Sequence, residues 1–307
     1  MKFFRGTALV LLILSLFSCG REESSGGYCS FADDCGRVIS LAEKPMRTAV
    51  LFSSYAEIWM LAGGETDITV GEAVERGFVR DDVILADDGA GKTVNIEILL
   101  ASEPDFVIGS ADIEAQTDAA EILEAAGIPC ALFRVESFED YLGMLKICCD
   151  ITKNPQAYET YGEAVREEIE DILAAVPESG DKRILFIRAG SSARSTKAKT
   201  AEQHFAAAML EELGAYNIAD NAPVLIDGLS MEEIMTENPD AVFITTMGDE
   251  TAAREYMDSR LTEPEWQALD AVREGAVYYL PKDLFQFKPN HRWAEAYRML
   301  KELLYET

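Results

Sequence analysis

Short apolar runs and amphipathic segments alternate along most of the chain, and the alternation occurs twice. The runs that predict strands are residues 48–53, 105–109, 131–135, 183–188, 241–245 and 277–280, and the segments that predict helices are residues 56–62, 114–126 and 202–213. Short β-branched or apolar runs between helices of this length are typical of parallel sheets covered by helices. The pattern therefore predicts an α/β fold with two small parallel-sheet lobes.

One helix-turn-strand unit is repeated. Residues 95–108 and 230–244 each begin with a polar cap and a glutamate, continue through Pro-Asp and end in an apolar run. A single copy would be an ordinary connection between a helix and a strand. Two copies at corresponding places indicate that each lobe contains the same unit.

A long amphipathic segment separates the two halves. Residues 155–177 start with proline and place apolar or small side chains at helical spacing. A helix of about 22 residues is roughly 33 Å long, so we expect a rigid strut and not a flexible hinge. The predicted lobes are then residues 38–154 and residues 178–307, with a ligand cleft between them.

The N-terminus has the pattern of a secretory signal. Basic residues precede an apolar run at residues 8–17, which is too short to span a bilayer. Leu16-Phe17-Ser18-Cys19 resembles the bacterial lipobox, so we expect a signal peptide over residues 1–18 and a lipidated Cys19 that begins a flexible tether over residues 19–37. The alternative is an ordinary signal peptide with an incidental cysteine. The expected location is extracytoplasmic, lipid-anchored to a bacterial membrane, at the cell surface or in the periplasm.

The charge of the chain excludes some partners. There are 55 acidic and 27 basic residues, and the formal net charge is -28. Such a surface disfavours nucleic acid and anionic lipid, so we expect contact with a membrane through the lipid anchor only.

Cysteines and histidines are too few and too scattered for a metal site. Cys29 and Cys35 are near enough in sequence for a disulfide, and free thiols are an equal alternative. No cysteine spacing is typical of zinc, and His204 and His291 are the only histidines. We therefore expect no resident metal or cofactor. Whether His291 ligates the metal of a bound chelate stays open.

Several soft motifs occur in a fixed order behind the lipobox. They are residues 53–57 with Gly63-Gly64, residues 95–97 with 104–105, and residues 126–129, 155–177, 213–214, 230–240 and 264–278. In this order they resemble the helical-backbone (class III) solute-binding proteins of ABC importers, the family of the vitamin B12, siderophore-iron and haem binding proteins. The resemblance extends from about residue 38 to the C-terminus.

This resemblance implies a monomeric protein that is not an enzyme. Such a protein delivers a metal chelate (a ferric siderophore, haem or a corrinoid) to the permease dimer of an ABC importer. It also implies that Glu97 and Glu232, at matching places in the repeated unit, dock with arginines of the permease. The alternative for both is a first-turn glutamate favoured by the helix dipole.

Ligands of open α/β lobes bind at the carboxyl ends of strands. In the first lobe this rule predicts ligand contacts from Ser53, Ser54, Tyr55 and Ser110. In the second lobe it predicts contacts from four cations that follow a strand within residues 182–201, a stretch without acidic residues: Arg188, Arg194, Lys197 and Lys199. These cations can neutralise carboxylates or catecholates of a chelate. The alternative is a solvated basic loop.

Aromatic and cationic side chains alternate within residues 285–293. Phe285, Lys288, Arg292 and Trp293 can cover a flat macrocycle or an aromatic siderophore, although Trp293 can equally pack the C-terminal helix. Haem, corrinoid and ferric siderophore all suit such a cleft, so the pattern does not choose among them.

Two rival functions remain. A tetrapyrrole metal chelatase on the same plan would use His204 or His291 as base or metal ligand, but the chain has no nucleophile elbow, no P-loop and no paired catalytic carboxylates. A passive surface lipoprotein would bind other proteins only. Stabilisation by a small ligand would count against it.

Overall fold

The first lobe is built on five parallel strands, in a computed structural model that describes residues 27–177 and 182–306. Its elements in chain order are β1 (Cys29–Ala32), β2 (Val38–Leu41), β3 (Thr48–Val50), α1 (Ser53–Leu61), β4 (Ile68–Val70), α2 (Gly71–Glu75), β5 (Ile84–Asp87), α3 (Ile96–Ala101), β6 (Phe106–Ser110), α4 (Glu114–Ala125), β7 (Cys130–Phe133) and α5 (Phe138–Thr152). The sheet order is β5-β4-β3-β6-β7. Val50 and Ile108 belong to one buried cluster and Ala49 and Val107 to another, so helices cover both faces.

The connection between the lobes is helical from Pro155 to Ala174. It consists of α6 (Pro155–Tyr158), a π turn (Glu159–Glu163) and α7 (Ala164–Ala174), where the sequence predicts one uniform helix over 155–177. A π turn carries an extra residue and disturbs the regular carbonyl pairing. Here the Tyr161 carbonyl accepts a hydrogen bond of 2.8 Å from the Tyr141 hydroxyl of α5.

The second lobe repeats the plan. Its elements are β8 (Arg183–Ala189), β9 (Lys197–Ala198), α8 (Phe205–Glu212), β10 (Tyr216–Asn217), α9 (Val224–Asp227), α10 (Met231–Glu237), β11 (Ala241–Thr246), α11 (Glu250–Leu261), α12 (Pro264–Gln267), α13 (Asp270–Arg273), β12 (Val277–Tyr279), α14 (Lys282–Phe285) and α15 (Trp293–Tyr305). The parallel order β10-β8-β11-β12 matches β4-β3-β6-β7 of the first lobe. The predicted fold class, two small parallel-sheet α/β lobes, is confirmed.

The repeated sequence unit has a repeated geometry. α3 precedes β6 as α10 precedes β11, and the residue before each proline, Glu103 or Asn238, has a left-handed φ of 48° or 40°. In the first lobe Asp105 accepts a hydrogen bond from the Arg47 amide, and in the second Asp240 accepts one from the Arg183 amide. Each arginine side chain in turn donates to a carbonyl at the end of the short helix. Both short helices are therefore fixed in the same way against the start of the lobe's first strand.

The predicted tether ends too late. The sequence predicts flexible chain through residue 37, but β1 pairs antiparallel with β2, and Phe31 stacks on Phe133 with ring centroids 6.4 Å apart. Buried Asp33 accepts hydrogen bonds from Arg37 and from the Leu132 amide at 3.1 Å. The hairpin is ordered because these side chains bury against the first lobe, a tertiary contact that local composition does not reveal.

The remaining predictions concern the cysteines near the N-terminus, the signal peptide and membrane-spanning helices. Cys29 and Cys35 are free thiols. The signal peptide and Cys19 lie outside the described residues. Within residues 27–177 and 182–306 no helix is both long and apolar enough to cross a membrane.

Candidate functional site

The rule that ligands bind at the carboxyl ends of parallel strands places the candidate site at the ends of β3 and β4 in one lobe and of β8 and β11 in the other. Residues Lys282 to Trp293, the crossing segment, follow the last strand of the second lobe and contact the first lobe. The Asn290 amide donates to the Ser54 carbonyl at 2.8 Å and to the Glu57 carboxylate at 2.7 Å. Asn290 is fully buried, so it fixes the crossing segment to α1.

In the first lobe, the two serines predicted to contact the ligand accept hydrogen bonds from Arg76, a residue that the sequence pattern did not single out. Arg76 Nη1 donates to Ser53 Oγ at 3.0 Å and to Ser54 Oγ at 3.1 Å, and Ser53 also donates to the Glu72 carboxylate. The Arg76 guanidinium lies 4.6 Å from the Phe78 ring centroid and 4.1 Å from that of Phe287. Burial lowers the Arg76 pKa from its ordinary value. The serines thus act through Arg76 and are themselves fully buried.

On the second-lobe side, the predicted cations lie together at strand ends. Arg188 of β8 is the register partner of Thr245 in β11 and of Lys197 in β9. Arg188 Nε is buried and has no hydrogen-bond partner, and the same holds for Thr245 Oγ1. Burial, followed by the charges of Arg188 and Lys197, lowers the Lys199 pKa. Arg194 is exposed on the loop between β8 and β9.

This group of cations has no ionic partner. Within residues 27–177 and 182–306, no carboxylate lies within 4.0 Å of Arg188, Arg194, Lys197 or Lys199. In a chain with 55 acidic residues, positive charge without a neighbouring carboxylate is unexpected. An unpaired guanidinium atom inside a protein is costly, so the arrangement favours a site for an anionic ligand.

His204 lies beside these cations and is not available as a base. Burial, and then the charges of Lys288, Arg188 and Lys199, lower its pKa to about 3. Its Nδ1 accepts the Ala206 amide at 3.2 Å, so in the neutral ring Nε2 carries the proton. With neither nitrogen offering a lone pair, His204 serves as the N-cap of α8 and fits neither role that a chelatase would require.

Two cations of the crossing segment, Lys288 and Arg292, are already ion-paired. Lys288 Nζ lies 2.8 Å from Glu136 across the two lobes and 5.1 Å from the Phe205 ring centroid. Arg292 binds Asp283 and Glu295, which raise its pKa. Lys288 therefore bridges the lobes, whereas Arg292 is neutralised within its own segment.

Four predicted contacts lie in the packed interior. Phe285 and Trp293 are 0% and 1% exposed, and Trp293 packs edge-on against Phe138 and Phe205. Tyr55 is 1% exposed and donates to the Phe133 carbonyl at 3.0 Å, and burial raises its pKa. Ser110 is 4% exposed, and its hydroxyl accepts the Asp112 amide. Side chains this deeply buried offer almost no surface to a ligand. These four therefore pack the interior of the protein, and the prediction that they contact the ligand is not supported.

His291 has partners on two elements. Its Nδ1 is 3.2 Å from Glu57 Oε1, and its ring lies edge-on to Tyr161 of the π turn, with centroids 5.9 Å apart. Among the described residues, no three His, Cys, Asp or Glu side chains are arranged to hold a metal ion.

Glu97 and Glu232 occupy equivalent positions. Each is the second residue of its short helix, α3 or α10, and each is exposed. Neither side chain makes an ion pair or hydrogen bond with another described residue. Exposed Ile98 follows Glu97, and exposed Met235 lies one turn after Glu232. Each carboxylate therefore stands free next to an exposed apolar side chain.

A family model described as periplasmic binding protein matches residues 48–284, a span that includes both lobes and the connecting helix. The chain belongs to this family. Its members bind solutes and are not enzymes, so the binding protein is not a chelatase. No curated protein matches the chain.

Solved structures share the fold of the binding protein at low identity. An ABC transporter substrate-binding protein from Listeria monocytogenes is 16% identical, with a TM-score of 0.71 over 86% of this chain and 100% of that one. A periplasmic heme binding protein from Pseudomonas aeruginosa is 22% identical, with a TM-score of 0.67 over 86% and 94%. Staphylococcus aureus SirA complexed with staphyloferrin B is 15% identical, with a TM-score of 0.67 over 90% and 97%.

The low pKa of His204 predicts a loss of stability in acid. Between about pH 6.5 and pH 3 the unfolded chain binds a proton at this position and the folded chain does not, so stability falls as the pH falls. From pH 7 to pH 5, the wild type should lose about 1–2 kcal/mol more than His204→Asn, whose amide can still cap α8. Urea unfolding at both pH values measures this, with His291→Asn as control. Equal losses for wild type and His204→Asn would contradict the assignment.

Proposed function

We propose that the binding protein is lipid-anchored outside the cytoplasmic membrane and delivers a metal chelate to an ABC importer. The chelate is a ferric siderophore, haem or a corrinoid. The observation that carries this proposal is the group of unpaired cations at the carboxyl end of β8 and along its antiparallel neighbour β9, in an otherwise acidic chain.

Ligand binding by these cations is supported by the electrostatic cost of burying charge without a partner. Arg188 Nε is buried without a partner, and nearby Lys197 and Lys199 carry the same charge. An anionic ligand supplies the missing acceptors and relieves the repulsion among the cations. Two structural neighbours agree with such a ligand, since one is a heme binding protein and the other is complexed with staphyloferrin B.

Docking by Glu97 and Glu232 follows from the repeated clamp. The same Asp and Arg contacts fix α3 and α10, and both helices carry an exposed glutamate at their second position. Two free carboxylates on rigid helices can each accept a guanidinium of a permease and set the orientation of the complex. The adjacent exposed Ile98 and Met235 would add apolar contact area.

The lipid anchor is proposed from the sequence of residues 16–19. Strand β1 begins at Cys29, so about ten residues of sequence connect Cys19 to the first lobe. A tether of this kind holds the protein at the membrane while leaving its docking face free to turn toward the permease.

Arg188→Ala should weaken binding of the chelate. Loss of one partner of a desolvated, charge-assisted contact costs roughly 2–5 kcal/mol, which corresponds to about thirty-fold or more in Kd. Calorimetric titration at matched salt measures the change. Lys182→Ala, at the exposed opposite end of β8, is the control and should bind like the wild type. Equal affinities for all three proteins would contradict a role of Arg188 in binding and would favour the alternative, a solvated basic loop.

The double variant Glu97→Ala/Glu232→Ala should abolish uptake of the chelate by cells and leave the Kd of the purified protein unchanged. Both carboxylates are exposed and neither is among the residues proposed to contact the ligand, so we expect only transfer to the permease to depend on them. Glu121→Ala/Glu211→Ala removes two other exposed glutamates and controls for net charge. Uptake at wild-type rate by the first double variant would favour the helix-dipole role of these residues.

Cys19→Ala should release the protein from membranes, because the acyl chains attach through the Cys19 sulfur. Cell fractionation followed by immunoblotting measures the distribution, with Cys35→Ala as the matched control. Membrane association that persists in Cys19→Ala would rule out the lipid anchor.

A further inference from the structure

A cavity separate from the candidate site lies where both lobes meet the connecting helix. Its volume is about 270 Å³, close to the lower end of the range for small-molecule pockets, about 300–1,000 Å³. It is lined by α5, α7, α8, α15 and the two residues before α5, whereas Ser53, Arg76, Arg188 and Thr245 do not line it. We propose that this cavity binds a small organic cation, a primary amine on an apolar body. The inference is independent of the proposed function.

The apolar part of the cavity joins three parts of the protein. Phe138 belongs to α5 of the first lobe, Leu173 to α7 of the connection and Ala208 to α8 of the second lobe, and all three side chains are half-buried. Buried Trp293 packs edge-on against Phe138, with ring centroids 6.1 Å apart, and holds that ring in place. The three half-buried side chains can therefore cover the apolar body of a small ligand and remove it from water.

Carboxylates outnumber cations at the rim of the cavity. The charged lining residues are four glutamates and one arginine: Glu136, Glu139, Glu170, Glu212 and Arg166. Arg166 pairs with Glu139 at 2.7 Å, and Lys288 pairs with Glu136 at 2.8 Å. No Lys, Arg or His of the described chain lies within 4.0 Å of Glu170 or Glu212. Two rim carboxylates, one on α7 and one on α8, are therefore left for a ligand.

One of these two carboxylates is oriented by a neutral donor. The Tyr297 hydroxyl of α15 donates a hydrogen bond to the Glu212 carboxylate. Burial, followed by this hydrogen bond, raises the Tyr297 pKa, so the hydroxyl keeps its proton in neutral solution. A carboxylate held in this way keeps its full negative charge, and its remaining lone pairs can accept N–H groups of an ammonium ion.

The combination favours a primary ammonium over other small ligands. The rim repels an anion, and a neutral apolar molecule leaves both carboxylates without a partner. A quaternary ammonium has no N–H group to donate to them. The Phe138 ring also tolerates positive charge next to it, since the Arg166 guanidinium lies 5.9 Å from its centroid.

The first test is an NMR titration of the purified protein with three probes of similar shape and different charge: phenethylamine, phenethyl alcohol and phenylpropionate. The chain has three tryptophans, Trp59, Trp266 and Trp293, and of these only Trp293 lines the cavity. We expect phenethylamine to shift the indole N–H signal of Trp293 in a saturable way and to leave the other two signals unchanged. The alcohol and the carboxylate should bind more weakly.

The second test removes the two free charges. Glu170→Gln/Glu212→Gln should bind phenethylamine about ten-fold more weakly, since two exposed ion pairs are lost while glutamine still accepts from Tyr297. A chain with a net charge of -28 attracts any cation, so the control must have the same net charge. Glu167→Gln/Glu211→Gln meets this need, because both residues are exposed, lie on the same two helices and do not line the cavity. It should bind like the wild type.

A third variant fills the cavity without changing charge. Ala208→Leu should prevent binding of phenethylamine, and Ala174→Leu, an exposed position outside the lining, is its control. Equal affinity of the two double glutamine variants, a stronger response to the alcohol or the carboxylate, or a Trp293 signal that phenethylamine does not move would overturn the inference. So would binding by Ala208→Leu at wild-type affinity. Each of these failures leaves chelate binding at the strand ends untouched.

Discussion

The proposed function depends on one electrostatic feature, a group of cations at the carboxyl end of β8 that has no carboxylate partner within the described residues. The chain has 55 acidic residues and 27 basic ones, so most cations can find a carboxylate partner. Arg188 Nε is nevertheless buried without a hydrogen-bond partner. Burial, and then the neighbouring cations, lower the His204 pKa, so the neutral ring caps α8 and packs beside Phe186. The cations that would bind an anion therefore also add to the effect of burial on His204.

The rest of the fold holds this charge in place. Matching strand orders give both lobes the same plan, and the buried Asn290 and the Lys288–Glu136 ion pair tie the crossing segment to the first lobe. The repeated clamps at Asp105 and Asp240 fix the helices that carry Glu97 and Glu232. The elements that carry the proposed docking carboxylates are therefore fixed by hydrogen bonds within each lobe.

Much of this was predictable from sequence because the strands concerned are long apolar runs. β8 and β11 are such runs, so the positions of Arg188 and its neighbours after β8 could be inferred. Arg76 was missed because β4 has only three residues, too few to stand out as a strand, and its end could not be placed. The sequence predicts ligand contacts for Tyr55, Phe285 and Trp293 from their positions after strands. Such a position does not show which way a helical side chain points. Only tertiary packing shows that these rings face inward.

The central claim, that the cleft captures an anionic metal chelate, is tested most directly by native mass spectrometry. The binding protein is incubated with metal-limited culture medium of its own host, and the bound species are identified by mass and metal content. The account predicts one metal chelate per protein molecule, absent or strongly reduced with Arg188→Ala and unchanged with Lys182→Ala. Protein that remains free of any chelate, or that captures the same amount with Arg188→Ala, would contradict it.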